Sequence, residues 1–156
     1  LVENQAGVLS KVSGLFSRRG FNIDSLAVGI TEDSSISRMT IVVDGDEYVV
    51  EQLEKQLNKL IDVIKVRHLP AEELLSRELV LIKVACQPSQ RAELISLAEI
   101  AKAKISDITV NTMTLELSDS VPRIKTFEEL LRPYGIKETV RTGSIAMQKG
   151  GASMKL

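Results

Sequence analysis

The apolar residues near the start of the chain first follow the spacing of a helix and then that of strands. One helix face carries Val8, Leu9, Val12, Leu15 and Phe16. Gly20 comes directly after the last turn and predicts the end of this helix. Residues 26–30 and 39–43 then alternate apolar and polar side chains, which predicts two strands joined by the polar turn TEDSS.

The rest of the first half adds a helix and a further strand. The turn DGDE precedes a helix whose apolar stripe is Val50, Leu53, Leu57 and Leu60. DVIKVRHL, residues 62–69, predicts a strand. With a strand cut at Leu1, the order is strand, helix, strand, strand, helix, strand. Because Leu1 falls inside this pattern and is not a methionine, we expect a few residues of the first strand to precede it.

The second half repeats the same order. ELVLIKVA (78–85) predicts a strand and PSQRAELISLAEIAKA (88–103) a helix. ISDIT and TMTLEL predict paired strands, and VPRIKTFEELL predicts a helix with Pro122 in its first turn. IKETVR, after the helix-ending Gly135, predicts the last strand.

Two βαββαβ halves indicate an α+β protein with two ferredoxin-like domains in tandem. We assign residues 1–69 to the first domain, 70–77 to a linker and 78–147 to the second domain. Residues 148–156 have no periodicity and are expected to form a flexible tail. Small sheets with one uncovered face favour association, so we expect at least a dimer.

The composition narrows the classes of function. Hydrophobic residues make up 44% and charged residues 26%, as in soluble globular proteins, while aromatics are 3% with no Trp. The net charge of −1 does not favour binding to nucleic acid or to an anionic membrane. No apolar run approaches the roughly 20 residues that span a bilayer. The single cysteine suits a reducing compartment, and we expect the cytoplasm, or a plastid if the source is a plant or alga.

The reactive side chains are too few for a recognisable catalytic or metal site. His68 and Cys86 are the only residues of their types and lie in different halves, so one chain lacks the ligands for a Cys/His zinc site. No acid and serine flank His68 as a triad would need, and no phosphate-binding or dinucleotide-binding glycine motif occurs. We therefore expect neither catalytic residues nor a metal site, which argues against an enzyme.

Asparagines and glycines flank the first helix, and two interpretations of them remain open. The amides of Gly7, Val8 and Leu9 stand at the positive end of the helix dipole, a natural binding site for a carboxylate. The carboxamides of Asn4 and Asn22 offer donors and acceptors for the charged groups of an amino acid. Alternatively, these residues only form the turn before the helix and the stop after it.

ENQAGVLSKVSGLFSRRGFNIDSLAVG resembles the opening of the ACT domain of a known family. This family is the regulatory (small) subunits of acetohydroxyacid synthase, also called acetolactate synthase. SRMTIVV, EQLEKQLNKLIDVIKV, RELVLIKV and PYGIKETVRTGSIAM are similar to later parts of the family. Residues 98–125 depart from it, since AEIAKAKISDI lacks the aromatic–arginine pair usual there.

The resemblance implies a regulatory function. The family's catalytic (large) subunit uses thiamine diphosphate, Mg²⁺ and FAD to condense pyruvate with a second 2-keto acid in branched-chain amino acid synthesis. The small subunit carries no cofactor and no chemistry. It activates its partner and confers feedback inhibition, usually by valine.

The resemblance also implies a homodimer and a binding site. Two ACT domains pair side by side and the effector binds at their interface. Asn4 and Gly7 correspond to the family's Asn-x-x-Gly turn, and Asn22 to the asparagine that follows the helix. Val8, Leu9 and Ile23 are placed to line the hole for a small aliphatic side chain.

Two other classes of function remain as alternatives. A ligand-sensing transcriptional regulator would need a DNA-reading module, yet the sequence shows no basic helix. A small enzyme on this fold would need an acid–base or nucleophile pair, which the pattern does not supply. Isolating the native complex separates these possibilities. A regulatory subunit would be isolated with a large thiamine-dependent subunit, a transcriptional regulator with DNA, and a small enzyme with no partner.

Overall fold

The computed structural model describes residues 1–154 of the 156-residue chain, which divide into two compact units. The first unit contains residues 1–75 together with the chain from Ser144 onward, and the second contains residues 76–143. No helix within residues 1–154 is long and apolar enough to cross a bilayer.

The first unit places two helices on one face of a three-stranded sheet. Its elements are β1 (Val2–Glu3), α1 (Val8–Arg19), β2 (Ser25–Ile30), β3 (Ile36–Val42) and α2 (Glu47–Leu57). The strands are antiparallel in the order β1-β3-β2. Val2 is buried in one cluster with the apolar stripes of both helices, so the core lies between helices and sheet.

Local signals set the limits of these helices. Gly20 has a φ of 73°, a left-handed conformation that glycine adopts without strain, and its amide donates to the Ser17 carbonyl at 3.1 Å. α2 begins after Asp46, whose side chain accepts a hydrogen bond from the Val49 amide at 2.9 Å. Both helices therefore begin and end close to where the sequence predicts.

The strand predicted over residues 62–69 is not formed. Only Val63 makes a bridge, to Val2, while the amides of Ile64 and Lys65 both donate to the Leu1 carbonyl. Because β1 contains only two residues, it offers this segment too few backbone groups for a ladder. Asp62 nevertheless fixes the start of the segment through an ion pair of 2.6 Å with Lys11.

The second unit repeats the plan with a complete sheet. Its elements are β4 (Leu74–Ala85), α3 (Arg91–Ala101), β5 (Lys104–Ile108), β6 (Thr112–Asp119), α4 (Val121–Leu131) and β7 (Ile136–Arg141). The antiparallel order is β5-β6-β4-β7. A three-residue 3₁₀ turn, Pro88–Gln90, precedes α3, and a second, Arg132–Tyr134, follows α4. The prediction of an α+β chain with two ferredoxin-like units is confirmed.

The division of the chain differs in detail from the expected one. β4 begins at Leu74, inside the expected linker 70–77, where only residues 71–73 form a turn. β7 is not the last strand, because β8 (Ile145–Gln148) follows and belongs to the first unit. Residues 144–147, expected in the second domain, thus lie in the first unit.

The segment expected to be a flexible tail makes specific contacts up to Ser153. The Lys149 amide donates to the Glu73 carbonyl at 2.8 Å, and Arg67 donates to the Gln148 side chain at 3.0 Å and to the Ser153 carbonyl at 3.5 Å. These bonds join residues far apart in sequence, which a search for local periodicity does not detect. Residues 155 and 156 lie outside the described part of the chain.

Candidate functional site

The first turn of α1 is open to a ligand. Gly7 is the N-cap residue with φ 87° and ψ −12°, and no side chain of residues 1–154 caps this helix end. The first turn carries no acidic residue, and a Cβ added at Gly7 would meet no atom within 4 Å. The space beside Gly7 at the positive end of the helix dipole is therefore open to a carboxylate. Of the amides there, that of Val8 already donates to the Gln5 carbonyl at 3.4 Å.

Asn4 is partly occupied by the fold itself. Its Nδ2 donates to the Ser34 carbonyl at 2.8 Å, and its Oδ1 accepts from the Ser37 hydroxyl at 3.1 Å. The Asn4 amide also donates to the Ser35 carbonyl at 2.7 Å. A carboxamide has two N–H groups and two lone pairs, so one of each remains for a ligand. Asn4 both anchors the β2–β3 turn and can contact a bound molecule.

Asn22 and Asp24 form a polar pair after the other end of α1. The exposed Asn22 donates through Nδ2 to Asp24 Oδ1 at 2.7 Å. Asp24 was not among the residues predicted for the site, although its carboxylate is a natural partner for an ammonium group. The spacing Asn-x-Asp just after a helix stop is the sequence signal that could have identified it.

The apolar residues predicted for the site divide between core and surface. Val8 is buried in the core of the first unit, so its side chain is not available to a ligand, and its amide donates to the Gln5 carbonyl at 3.4 Å. Ile23 is partly buried against the same core, whereas 44% of Leu9 is exposed. Leu9 is thus the apolar side chain at the helix start that can contact a ligand.

One protomer does not bring all of these residues together. α1 has 12 residues, and at 1.5 Å per residue it is about 18 Å long. Asn4 and Gly7 lie at one end, Asn22 and Ile23 beyond the other. An amino acid is much shorter than this helix, so a site that uses both groups needs two protomers.

The β2–β3 turn that holds Asn4 is itself held by Asp33. Asp33 Oδ1 accepts from the Ser35 hydroxyl at 2.6 Å and from the Ser35 amide at 2.9 Å. These two hydrogen bonds stabilise the carboxylate and lower the pKa of Asp33 below its ordinary value of 3.8. The turn therefore depends on an ionised side chain.

A cleft of the first unit lies elsewhere. It has a volume of about 320 Å³ and runs beside β3, between that strand and residues 63–69, over a floor of Val12, Phe16, Leu53 and Leu57. β1 pairs only with Ile36 and Ser37, so within residues 1–154 no strand pairs with the remainder of this β3 edge. None of the predicted site residues lines the cleft, so it is a separate candidate for ligand binding.

The described residues form no metal-binding cluster. Within residues 1–154, no group of three or more His, Cys, Asp or Glu side chains is arranged to hold a metal ion. Cys86 is a buried free thiol in the second unit. The polar groups around α1 are backbone amides, the carboxamides of Asn4 and Asn22 and the Asp24 carboxylate.

Models of two protein families match the two halves of the chain. Residues 1–65 match the AHAS small subunit-like ACT domain, and residues 77–150 match the small subunit of acetolactate synthase. The two matches fall on either side of the turn that precedes β4.

Sequence relatives with the same description cover almost the whole chain. The chain is 51% identical over 150 residues to a protein of Archaeoglobus fulgidus named "Probable acetolactate synthase small subunit", covering 96% of this chain and 94% of that one. It is 45% identical to the acetolactate synthase small subunit of Mycobacterium leprae, covering 96% and 89% of the two chains.

A solved structure agrees with these matches. The crystal structure of the acetolactate synthase small subunit from Thermotoga maritima superposes with a TM-score of 0.89 at 38% sequence identity, covering 97% of this chain and 94% of that one. The chain therefore belongs to the family of acetolactate synthase small subunits, which are regulatory and non-catalytic.

Proposed function

We propose that the first unit binds a branched-chain amino acid, valine foremost, at a site formed by two copies of the chain. Through this binding the chain regulates an acetolactate synthase catalytic subunit that it also activates. The observation that carries the proposal is the start of α1, where Gly7 leaves the positive helix end uncapped and accessible.

Two features favour a pair of first units side by side. β2 is the end strand of the sheet, and no strand of residues 1–154 pairs with its outer edge. Exposed edges of this kind tend to pair with a second chain. Val28 and Ile30 of β2 are also exposed, at 46% and 68%, which adds apolar area to a contact along this strand.

A two-fold axis at this edge, perpendicular to the sheet, accounts for the distribution of the residues over both ends of α1. Such an axis runs the two copies of α1 antiparallel, so that the Gly7 end of one helix meets the Asn22 end of the other. The distance of about 18 Å within one protomer then becomes a close approach between protomers. Two equivalent sites result, each with groups from both chains.

The available groups suit the head of an amino acid. The amides at the start of α1 receive the α-carboxylate. The Asn22 carboxamide and the Asp24 carboxylate, 2.7 Å apart, receive the α-ammonium group. Without several such partners a charged head would lose more in desolvation than it gains in the interface.

The neighbouring apolar surface favours a small aliphatic side chain. Leu9 is half exposed beside the carboxylate-binding amides, and Ile23 adjoins Asn22 on the other chain. The scarcity of aromatic residues makes a wide aromatic pocket unavailable. Valine, leucine and isoleucine fit these conditions, and valine has the smallest side chain of the three.

Regulation follows if the ligand binds one arrangement of the two chains better than another. Because each ligand bridges two protomers, its binding energy biases how they pair, and a coupling of about 1–3 kcal/mol is typical of such effects. The description of the relatives as small subunits supports a large catalytic partner, on which we place the thiamine diphosphate, Mg²⁺ and FAD.

The experiment compares two substitutions of Gly7 in the reconstituted complex with its catalytic subunit. Gly7→Asp places a carboxylate beside the ligand's own, and two charges about 4 Å apart repel by roughly 4 kcal/mol at an effective dielectric near 20. Gly7→Asn is the matched control, since it has the same shape, is neutral and also tolerates a positive φ.

Gly7→Asp is expected to raise the valine concentration for half-inhibition about a thousandfold, with activation retained. Gly7→Asn measures the smaller contribution of steric hindrance and backbone strain. Wild-type valine sensitivity in Gly7→Asp would show that the effector binds elsewhere, with the cleft beside β3 as the next candidate.

A further inference from the structure

A buried hydroxyl lies on the central strand of the first unit's sheet. Ser37 of β3 is paired with Val2 of β1 on one side and with Ile30 of β2 on the other, and only 6% of it is exposed. It shares a face of the strand with Met39 and Ile41, which pack against the core. A polar group buried on such a face needs a hydrogen-bonding partner, so the role of this hydroxyl should be sought in the group that it binds.

The partner of this hydroxyl is the Asn4 carboxamide. The Ser37 hydroxyl donates to Asn4 Oδ1 at 3.1 Å, while Asn4 Nδ2 donates to the Ser34 carbonyl at 2.8 Å. The two ends of a carboxamide differ, since the nitrogen only donates and the oxygen only accepts. A carbonyl also only accepts, so the Ser34 carbonyl requires the nitrogen beside it, and the oxygen then faces Ser37. The two bonds together fix both the rotation and the polarity of the Asn4 side chain.

The β2–β3 turn provides a fixed support for this arrangement. The Ile36 amide donates to the Asp33 carbonyl at 3.0 Å, and Asp33 Oδ1 accepts from the Ser35 amide at 2.9 Å. The Asn4 backbone amide donates to the Ser35 carbonyl at 2.7 Å. These bonds hold the Ser34 carbonyl in place, so the orientation of the Asn4 carboxamide is set before any ligand binds.

The remaining hydrogen-bonding capacity of Asn4 is suited to a carboxylate. One N–H group and one lone pair of its carboxamide are not used by these bonds. Asn4 is exposed and stands three residues before Gly7, the uncapped start of α1. An N–H group there can act together with the backbone amides on an anion. A donor that is already held in one orientation loses less conformational freedom on binding than a mobile donor.

We propose that Ser37 is a positioning residue for effector binding. Its buried hydroxyl, together with the Ser34 carbonyl, holds the Asn4 carboxamide so that the second N–H of Nδ2 donates to the carboxylate of the bound amino acid. This role rests on the effector site proposed above at the start of α1 and adds to it a residue that does not touch the ligand. A hydroxyl that only joined β1 to β3 would stabilise the fold without changing the affinity for the effector.

The experiment is a double-mutant cycle in the full chain, measured by calorimetric titration with L-valine. Asn4→Ala removes the donor and should weaken binding about tenfold. Ser37→Ala removes only the support and should weaken binding about three- to fivefold, since the carboxamide then samples other orientations. The double variant should bind no more weakly than Asn4→Ala alone, because Ser37 then has no carboxamide to hold.

Two further variants separate the hydroxyl from its surroundings. Ser37→Thr keeps the hydroxyl and adds a methyl group at a buried position, so its affinity should lie within about twofold of wild type even where its thermal stability falls. Ser96→Ala on α3 is the matched control, because it removes a hydroxyl that donates to the Ala92 carbonyl at 3.1 Å in the second unit. It should leave the affinity for valine unchanged. Circular dichroism of each variant establishes that the fold is retained.

The results distinguish a failure of this role from a failure of the proposed function. No binding of valine by wild type would refute the proposed function, and the role of Ser37 with it. A tenfold loss for Asn4→Ala without any loss for Ser37→Ala would overturn the role of Ser37 alone. The same conclusion would follow if the two losses added in the double variant, or if Ser37→Thr bound as weakly as Ser37→Ala. Wild-type affinity in Asn4→Ala would remove Asn4 from the effector site and Ser37 with it.

Discussion

The first helix of each unit occupies the same place in the βαββαβ plan, but the two helices begin differently. α1 starts at Gly7 with no capping side chain and no acidic residue in its first turn. α3 follows directly on the 3₁₀ turn Pro88–Gln90, at whose start Gln87 and Gln90 cap each other's backbone. Gln90 gives α3 itself no side-chain cap, but α3 carries Glu93 in its first turn. The second unit thus differs in the capped turn that precedes its helix and in the acidic residue of the first helical turn.

This difference shows that the fold alone does not make a binding site. A helix start in either unit could in principle receive a carboxylate. At α3 the preceding 3₁₀ turn is capped by its own side chains, and the negative charge of Glu93 in the first helical turn would repel an anion. At α1 the same position is open, so only the first unit is proposed to bind an amino acid.

The cores of the two units differ in how completely they are buried, and substitutions there should have the largest effect on stability. Leu115 of β6 is fully buried, whereas Ile41 of β3 is partly exposed beside the cleft. Leu115→Ala should lower the free energy of unfolding of the second unit by about 3–4 kcal/mol. Ile41→Ala should lower that of the first unit by about 1–2 kcal/mol, because part of its side chain already contacts solvent.

Urea unfolding monitored by hydrogen exchange reports each unit separately and measures both changes in the free energy of unfolding. An equal loss of unfolding free energy for Leu115→Ala and Ile41→Ala would contradict the contrast between the fully buried core position and the partly exposed one.

The next effect concerns ligand affinity. Asn22→Ala removes one hydrogen-bonding partner of the proposed α-ammonium group but leaves the Asp24 carboxylate in place. The affinity for valine should fall about five- to tenfold, in line with a loss of about 1–1.5 kcal/mol. Calorimetric titration measures it, with Asn111→Ala in an exposed loop of the second unit as the control that should have no effect.

Helix capping provides a smaller contrast between the units. The Asp46 side chain caps α2, while Ser120 at the start of α4 makes no side-chain capping bond. Asp46→Ala should cost about 1 kcal/mol and Ser120→Ala only a few tenths. Thermal unfolding of both variants tests this, and a larger loss for Ser120→Ala would reverse the comparison.

Local and long-range features differed in how well the sequence predicted them. α4 has the limits predicted from VPRIKTFEELL, because its apolar spacing and Pro122 act within the helix itself. The contacts of Arg67 with Gln148 and Ser153 were missed, since they join residues 81 and 86 positions apart. β8 was missed as well. The prediction of a strand over residues 62–69 was wrong, because a strand there would need a longer neighbouring strand to pair with.

The candidate site shows the same limit. The turn at Gly7 and the helix stop at Gly20 are local, and their positive φ angles agree with the glycines in the sequence. The bonds of Asn4 to Ser34 and Ser37 could not be predicted, since they depend on how β1 pairs with β3. The burial of Val8 in the core was not predicted, because a periodic pattern does not say which residues of an apolar helix face are buried and which are exposed.

The smallest expected effect is a pH dependence at the β2–β3 turn. Hydrogen bonds from Ser35 lower the pKa of Asp33 below its ordinary value of 3.8. The ionised carboxylate therefore stabilises the folded state in full when the pH is above this ordinary pKa. This contribution is lost as the pH falls through the lowered pKa. Asp33→Asn should therefore be less stable than wild type at pH 7, and the gap should close in acid.

Melting temperatures of wild type and Asp33→Asn, measured from pH 7 to pH 2, give this difference in stability. Glu32→Gln in the same turn controls for the loss of one negative charge. A gap that widens as the pH falls would contradict the role given to the ionised carboxylate.

The central claim is that the open start of α1, and not the start of α3 with its acidic first turn, receives the amino acid. A titration of the ¹⁵N-labelled chain with L-valine, followed by amide chemical shifts, tests it most directly. The account predicts the largest shifts at Val8, Leu9 and Asn22, with none at residues 91–93. Shifts concentrated at residues 91–93, or along the cleft beside β3 at residues 38–43, would contradict it.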